Sequence, residues 1–313
     1  MLAAFAPIWM ITALGWGTIR FGVLTRATQQ ALAAFTFLVA IPAVLFTTLA
    51  KTPLGGLPLR PLAAFALSTL AVGLLGYGFA RRFLPGRNGD RVITAMSAAY
   101  VNSGNLGIPV AVYVLRDVSL ITAVLVFQTM LVTPLIVGLL DADANGGPGR
   151  WRRIALLPLR TPVILGSLFG VLASASGWRP PDWALHSLEL LGGAAVPAAL
   201  FALGMSLHRD AVEPTAELRD VAAPRRGAGV GVAVALKVLA QPLAAYLAGR
   251  FLFHLGPAEL VAVTVVAGLP TAQNTFVYAT EYRAGADFSR DAILVSSLLS
   301  MATLTAILAL TQG

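Results

Sequence analysis

Tyr100-Val101-Asn102-Ser103-Gly104-Asn105-Leu106-Gly107-Ile108-Pro109 lies inside a run, residues 92–115, that no charge interrupts. A second such run, 260–280, carries Gly268-Leu269-Pro270-Thr271-Ala272-Gln273-Asn274-Thr275-Phe276-Val277-Tyr278. Each is long enough to cross a hydrocarbon layer of about 30 Å, which takes about 20 helical residues. Each also holds glycine, a mid-membrane proline and several amide or hydroxyl side chains. Proline removes one backbone donor and frees the carbonyl one turn back, so each helix is expected to break or kink there. Non-helical backbone at that depth is tolerated only where it is buried in protein or lines a watery cavity. The two segments therefore predict a polar site inside an integral membrane protein.

The rest of the chain agrees. Charge-free runs cover 1–19, 27–50, 61–80, 118–140, 161–178 and 190–207; residues 227–249 contain Lys237 alone, and no charge follows Asp291. These runs are continuously apolar and lack the period-two alternation of a barrel strand. They predict an all-α protein of ten transmembrane helices. Composition fits: 313 residues, 57% hydrophobic and 12% charged, against about 25% charged in ordinary soluble domains. Little chain is left for an extramembrane domain. The first run lacks a basic leader and a convincing cleavage site, so it is expected to remain as the first span.

The net charge of +8 would suggest nucleic acid in a soluble chain. Here the basic residues form short clusters between apolar runs, the pattern of loops on an anionic membrane face, so lipid is the expected partner and nucleic acid is not. Odd-numbered connectors hold sixteen Lys and Arg, and even-numbered connectors hold five. By the positive-inside rule the odd connectors are cytoplasmic and both termini face the other side of the cell membrane.

The connector Asp141 to Arg160, with Asn145-Gly146-Gly147-Pro148-Gly149, divides the chain nearly in half. Ile41-Pro42-Ala43-Val44-Leu45-Phe46 matches Val196-Pro197-Ala198-Ala199-Leu200-Phe201, 155 positions later, and Pro7 and Pro162 differ by the same 155. Gly107-Ile108-Pro109 matches Gly268-Leu269-Pro270, 161 later. The expected organisation is a five-helix repeat at 1–140, a short cytoplasmic linker at 141–160, and a second repeat at 161–313. Five spans per half is odd, so the second repeat enters the membrane inverted, the architecture of many secondary transporters.

Half-helices on the fourth and ninth spans would aim N-termini, with free N–H groups and partial positive charge, at one central site. A carboxylate suits that field, so a small organic anion is the expected substrate. The candidate binding residues are Asn102, Ser103, Asn105, Gly107, Pro109, Pro270, Thr271, Gln273 and Asn274. Lys237, the lone charge within its run, is a candidate for a charge or coupling role, the alternatives being snorkelling or pairing with a carbonyl. Glu281 is a second candidate, although it and Glu189 sit near span ends where solvated interfacial roles are the simpler expectation. Gly166 and Gly170 form a G-x-x-x-G pair that permits close helix approach.

Enzyme chemistry finds little support. Cysteine is absent, which excludes disulfides, thiolate catalysis and iron–sulfur ligation. No phosphate loop is present, and no histidine lies within an apolar run to serve Ser103 as a base. His186, His208 and His254 are far apart without metal-ligand spacing, so neither metal nor cofactor is expected. A non-transporting receptor or channel on the same scaffold is the competing reading.

Three motifs carry a family resemblance. Asn-x-x-Asn-x-Gly-x-Pro at Asn102–Pro109 resembles the fourth-span signature of the auxin efflux carrier family. Gly268–Val277, followed by Ala279, Glu281 and Tyr282, is similar to its ninth-span signature, and Val196–Leu207 is similar to its seventh span. That family includes plant auxin exporters and bacterial permeases for malonate and other small carboxylates. The resemblance implies a dimerising scaffold of the first, second, sixth and seventh spans, hence a homodimer. It implies a mobile transport domain of the other six spans working as an elevator, with substrate beside a crossing of the fourth and ninth spans at Pro109 and Pro270. Plant exporters carry a long central loop; the short linker here resembles the bacterial branch.

The charge asymmetry makes a direct prediction. A topology reporter fused after Gly313 reads as extracytoplasmic; a cytoplasmic signal there would overturn both the orientation and the count of ten spans.

Overall fold

The computed structural model describes residues 2–51, 58–107, 110–144, 162–206 and 216–312, so most of the predicted linker lies outside the described residues. Among the described residues the chain is helical, apart from one isolated β-bridge. The helices are α1 (Leu2–Arg20), α2 (Arg26–Lys51), α3 (Leu59–Phe83), α4 (Asn88–Ala99), α5 (Ser119–Ala144) and α6 (Pro162–Ser176). They continue with α7 (Asp182–Met205), α8 (Arg226–Leu252), α9 (Pro257–Ala267), α10 (Asn274–Glu281) and α11 (Ala286–Gln312). Six of them, α2, α3, α5, α7, α8 and α11, are long and apolar enough to cross a membrane. The runs at 92–115 and 260–280 are not continuous helices: each is interrupted at its polar centre.

The interruption in the ninth run follows the proline rule. Pro270 cannot donate to Val266, and α9 stops at Ala267, with Gly268 N–H closing on the Thr264 carbonyl at 3.0 Å. The fourth run departs from it. Proline alone would free the Asn105 carbonyl, yet α4 already ends at Ala99, and a π-helical turn resumes at Ser103–Gly107. The break sits at Tyr100–Asn102, where extended backbone finds another partner.

The helices pack as two groups. In the first, α1 lies along α7, and α2 along α6 and α7. Here glycine is needed for contact between backbones. A Cβ on Gly204 would collide with the Thr12 carbonyl oxygen, and one on Gly15 with that of Phe201. Across the second pair, a Cβ on Gly170 would lie 2.8 Å from the Phe46 carbonyl oxygen and one on Gly166 would strike that of Pro42. The G-x-x-x-G pair is thus used within the chain, holding α6 against α2. Gly15–Phe201 and Gly170–Phe46 are the same contact with both residues displaced by 155 positions.

The second group gathers α3, α4, α5 and α8 to α11. Its centre is a fully buried cluster including Phe65, Leu106, Ile121, Leu269 and Phe276. Polar ties close the ends of both groups. Lys51 pairs with Glu189 in the first, each side chain partly exposed, as expected for an interfacial carboxylate. In the second, Arg60 donates to the Phe253 carbonyl. Between the groups, Arg290 donates to the Ser206 carbonyl at 2.8 Å and pairs with Asp287 and Asp291.

Close backbone contact at Gly204 gives a test. Gly204→Ala must push α1 from α7, and overpacking of this kind costs about 1–3 kcal/mol. Its thermal midpoint falls, whereas Gly78→Ala on α3, in open space, leaves the midpoint unchanged or raises it.

Candidate functional site

The two interrupted runs meet where each has lost its helix. Asn102 N–H donates to the Pro270 carbonyl at 2.9 Å and Ala272 N–H to the Tyr100 carbonyl at 3.1 Å, an antiparallel bridge centred on Val101 and Thr271. Each segment thereby satisfies backbone groups that the other's break leaves exposed, which is obligatory where no water is at hand. The resemblance placed the crossing at Pro109 and Pro270. On the ninth run that holds to within one residue. On the fourth the bridge is centred on Val101, eight positions before Pro109, which itself lies outside the described residues. The bridge itself provides the partner that lets α4 end early.

Side chains around the bridge take up the remaining backbone groups. Thr271 is buried and donates from its hydroxyl to the Ser97 carbonyl at 2.7 Å, while its N–H reaches Ser296 Oγ at 3.2 Å. Gln128 on α5 donates to the Val101 carbonyl at 3.1 Å and accepts from Ser103 Oγ at 2.5 Å. Gln241 on α8 donates to the Ala99 carbonyl at 2.9 Å, and Lys237 donates to the Ala267 carbonyl at 2.8 Å. Gln128 and Lys237 both lie in π-helical turns, Gln128–Val132 and Leu236–Ala240, a widening often found where a helix serves a site.

A cavity of about 200 Å³ opens beside the bridge. Asn102, Ser103, Gln273 and Asn274 line it from the crossing, Gln128 and Thr129 from α5, and Val44, Thr48, Ala195 and Val196 from α2 and α7. It therefore lies where the two helix groups face each other. Among the described residues no charged side chain lines it. The N-terminus of α10, with Gln273 as cap and Asn274 as first residue, opens on it and brings the partial positive charge of a helix start.

The predicted site residues divide accordingly. Asn102, Ser103, Gln273 and Asn274 line the cavity. Pro270 and Thr271 build the bridge behind it. Gly107 is buried against Ile121 and Leu269, where a Cβ would not fit, so it serves packing. The Asn105 side chain lies outside what the structure describes. Lys237 neither snorkels nor lines the cavity: it is fully buried behind the crossing and bonds a carbonyl. Glu281 is the exposed last residue of α10, a full helix away from Asn274. Sequence reading passed over Gln128 and Gln241. Each is a lone amide in an apolar run, and the four-residue spacing of Gln241 from Lys237 was the available signal.

Comparison with known proteins bears on this arrangement. A family model described as "Membrane transport protein" matches residues 1–146 and 152–308. A Rhizobium meliloti protein named "Putative malonate transporter" is 27% identical over 98% of this chain and 94% of its own length. An "Uncharacterized transporter" of Methanothermobacter thermautotrophicus is 30% identical over 94% of this chain and 93% of its own length.

Loss of Gln128 tests its place in the crossing. Gln128→Leu strands the Ser103 hydroxyl and takes from the Val101 carbonyl one of its two donors, the Ser103 N–H at 2.9 Å remaining, at about 1–3 kcal/mol for the buried group left unsatisfied. A clear drop in thermal midpoint is expected, against no change for Gln30→Leu on the exposed side of α2.

Proposed function

The chain belongs to the auxin efflux carrier family of membrane transport proteins, and from that premise we propose that it carries a small organic anion across the cell membrane by an elevator mechanism. Family membership makes it a multi-pass membrane transporter. The observation that carries the finer reading is the cavity beside the bridge, where neutral donors and a helix N-terminus converge without a fixed charge.

Such a surface favours an anion bound through hydrogen bonds rather than through an ion pair. The volume of about 200 Å³ lies below the roughly 300–1,000 Å³ of pockets for drug-sized ligands, which favours a compact carboxylate. The malonate named for the Rhizobium relative is of that kind and is the first probe to use.

The elevator reading draws support from the packing. The first helix group corresponds to the scaffold that the resemblance implies, and the second to the transport domain. Binding residues on the second group face α2 and α7 of the first, so sliding one group past the other would carry the bound anion with it. The duplicated Gly15–Phe201 and Gly170–Phe46 contacts support two inverted repeats of five spans, each lending one helix pair to the frame. A homodimer through that frame and extracytoplasmic termini complete the reading.

Uptake of labelled malonate, other short carboxylates and indole acids into proteoliposomes tests it. Saturable uptake of one class is expected. A hydrogen bond to a charged group is worth about 1.5–3 kcal/mol, so Asn274→Ala should weaken binding about tenfold or more, with Gln30→Ala unchanged. Pro270→Ala, which restores a backbone donor at the break, should lose flux while remaining expressed. An Asn274→Ala protein that binds and transports like the parent would sink the central anion site.

A further inference from the structure

Two helices end at the crossing with their C-termini, α4 at Ala99 and α9 at Ala267. The last carbonyls of a helix lack an internal partner and carry partial negative charge. In secondary transporters such ends, at membrane depth, are places where sodium or protons are held. Here both ends are already taken by one pair of side chains from α8. Lys237 Nζ donates to the Ala267 carbonyl at 2.8 Å and to Gln241 Oε1 at 2.6 Å. Gln241, one turn on, directs its amide nitrogen to the Ala99 carbonyl at 2.9 Å and to Thr69 Oγ1 at 3.1 Å. One continuous chain of hydrogen bonds therefore runs from the end of α9 through Lys237 and Gln241 to the end of α4.

The setting is unusual for a lysine. Its long stem would ordinarily carry the ammonium out to water. This one is 0% exposed, as is Gln241. Among the described residues no carboxylate pairs with it; its surroundings are a helix end and an amide oxygen. Those are oxygen ligands of the kind an alkali-metal ion takes.

We propose that the Lys237 ammonium is the protein's built-in cation, standing where a metal ion would otherwise sit at the C-terminus of α9, so that transport proceeds without sodium. Lys237 acts as a positioning residue, and Gln241 passes its hold to the second helix end. A tethered ammonium cannot dissociate, so it fixes the crossing but draws nothing from an ion gradient. The inference concerns the cation side of the crossing and holds whichever anion is carried.

The first arm of the test needs no substrate. Thermal unfolding of the purified wild type is compared in sodium, lithium and choline chloride at equal ionic strength, and the midpoints are expected to coincide. Lys237→Ala leaves the Ala267 carbonyl and Gln241 Oε1 facing vacated space. Its midpoint should fall and then recover by about 2–4 °C in sodium or lithium but not in choline. Lys237→Met, which fills the space without charge, should not recover, a distinction that a purely structural role for the side chain would not produce. In the second arm, malonate uptake by the wild type should be unchanged within about twofold when a sodium gradient is replaced by choline. A wild type that sodium stabilises or drives overturns the proposal, as does a folded Lys237→Ala protein indifferent to sodium. If Lys237→Ala fails to fold, the wild-type salt series decides. Absence of malonate uptake would count against the anion reading, while the thermal arm still judges the cation.

Discussion

Two backbone hydrogen bonds between interrupted helices, Asn102 to Pro270 and Ala272 to Tyr100, are the constraint on which the rest of this molecule depends. Breaking a helix in the membrane exposes peptide groups that lipid cannot satisfy, at several kcal/mol for each one left alone. Breaking two helices at the same depth and crossing them lets each serve the other. The polar side chains that mark these segments are needed because the bridge pairs only some of the exposed groups. Gln128, Gln241, Lys237 and Thr271 each take a further carbonyl, and they reach it from two other helices and from the crossing itself. The site is thus a local defect in helical structure that these groups complete around the bridge, beside the cavity.

The two helix groups differ in how they hold together, and the difference suits the parts proposed for them. The first closes through backbone on backbone, with glycines at Gly15, Gly166, Gly170 and Gly204 set against carbonyls of the facing helix. Contacts of that kind leave no side chain to change rotamer, which favours a fixed frame. The second is built around large buried side chains such as Phe65 and Phe276, and around the hydrogen-bonded crossing. Between the groups, Arg290 links the end of α7 to α11.

Much of this was legible in the sequence because membranes impose few solutions. Uncharged runs of about 20 residues located most helices, and polar residues inside two of them located the crossing. The 155-residue offset, noticed through Pro42 and Pro197, returned in space as a repeated glycine contact. What the sequence could not convey was where along the fourth run the helix stops. Pro109 was the visible signal, yet the break at Tyr100–Asn102 is set by a partner 170 positions away, which no local rule contains. The same holds for Gln128 and Gln241, ordinary amides until folding brings a freed carbonyl to each. Lys237 was conspicuous by charge, but its surroundings depend on three helices at once.

Burial of Lys237 also sets an order of events during synthesis. Its acceptor on α9 lies 30 residues further along the chain. At about 5–20 residues per second, a ribosome produces that carbonyl some 2–6 s after the lysine. During that interval α8 would face lipid with a charge whose insertion costs about 2.5–3.5 kcal/mol. Gln241 emerges only four residues later, on the same helix face, and supplies a local oxygen to the ammonium. The amide that later reaches across to α4 can therefore act first as an escort, accompanying the lysine into the bilayer until the ninth run arrives.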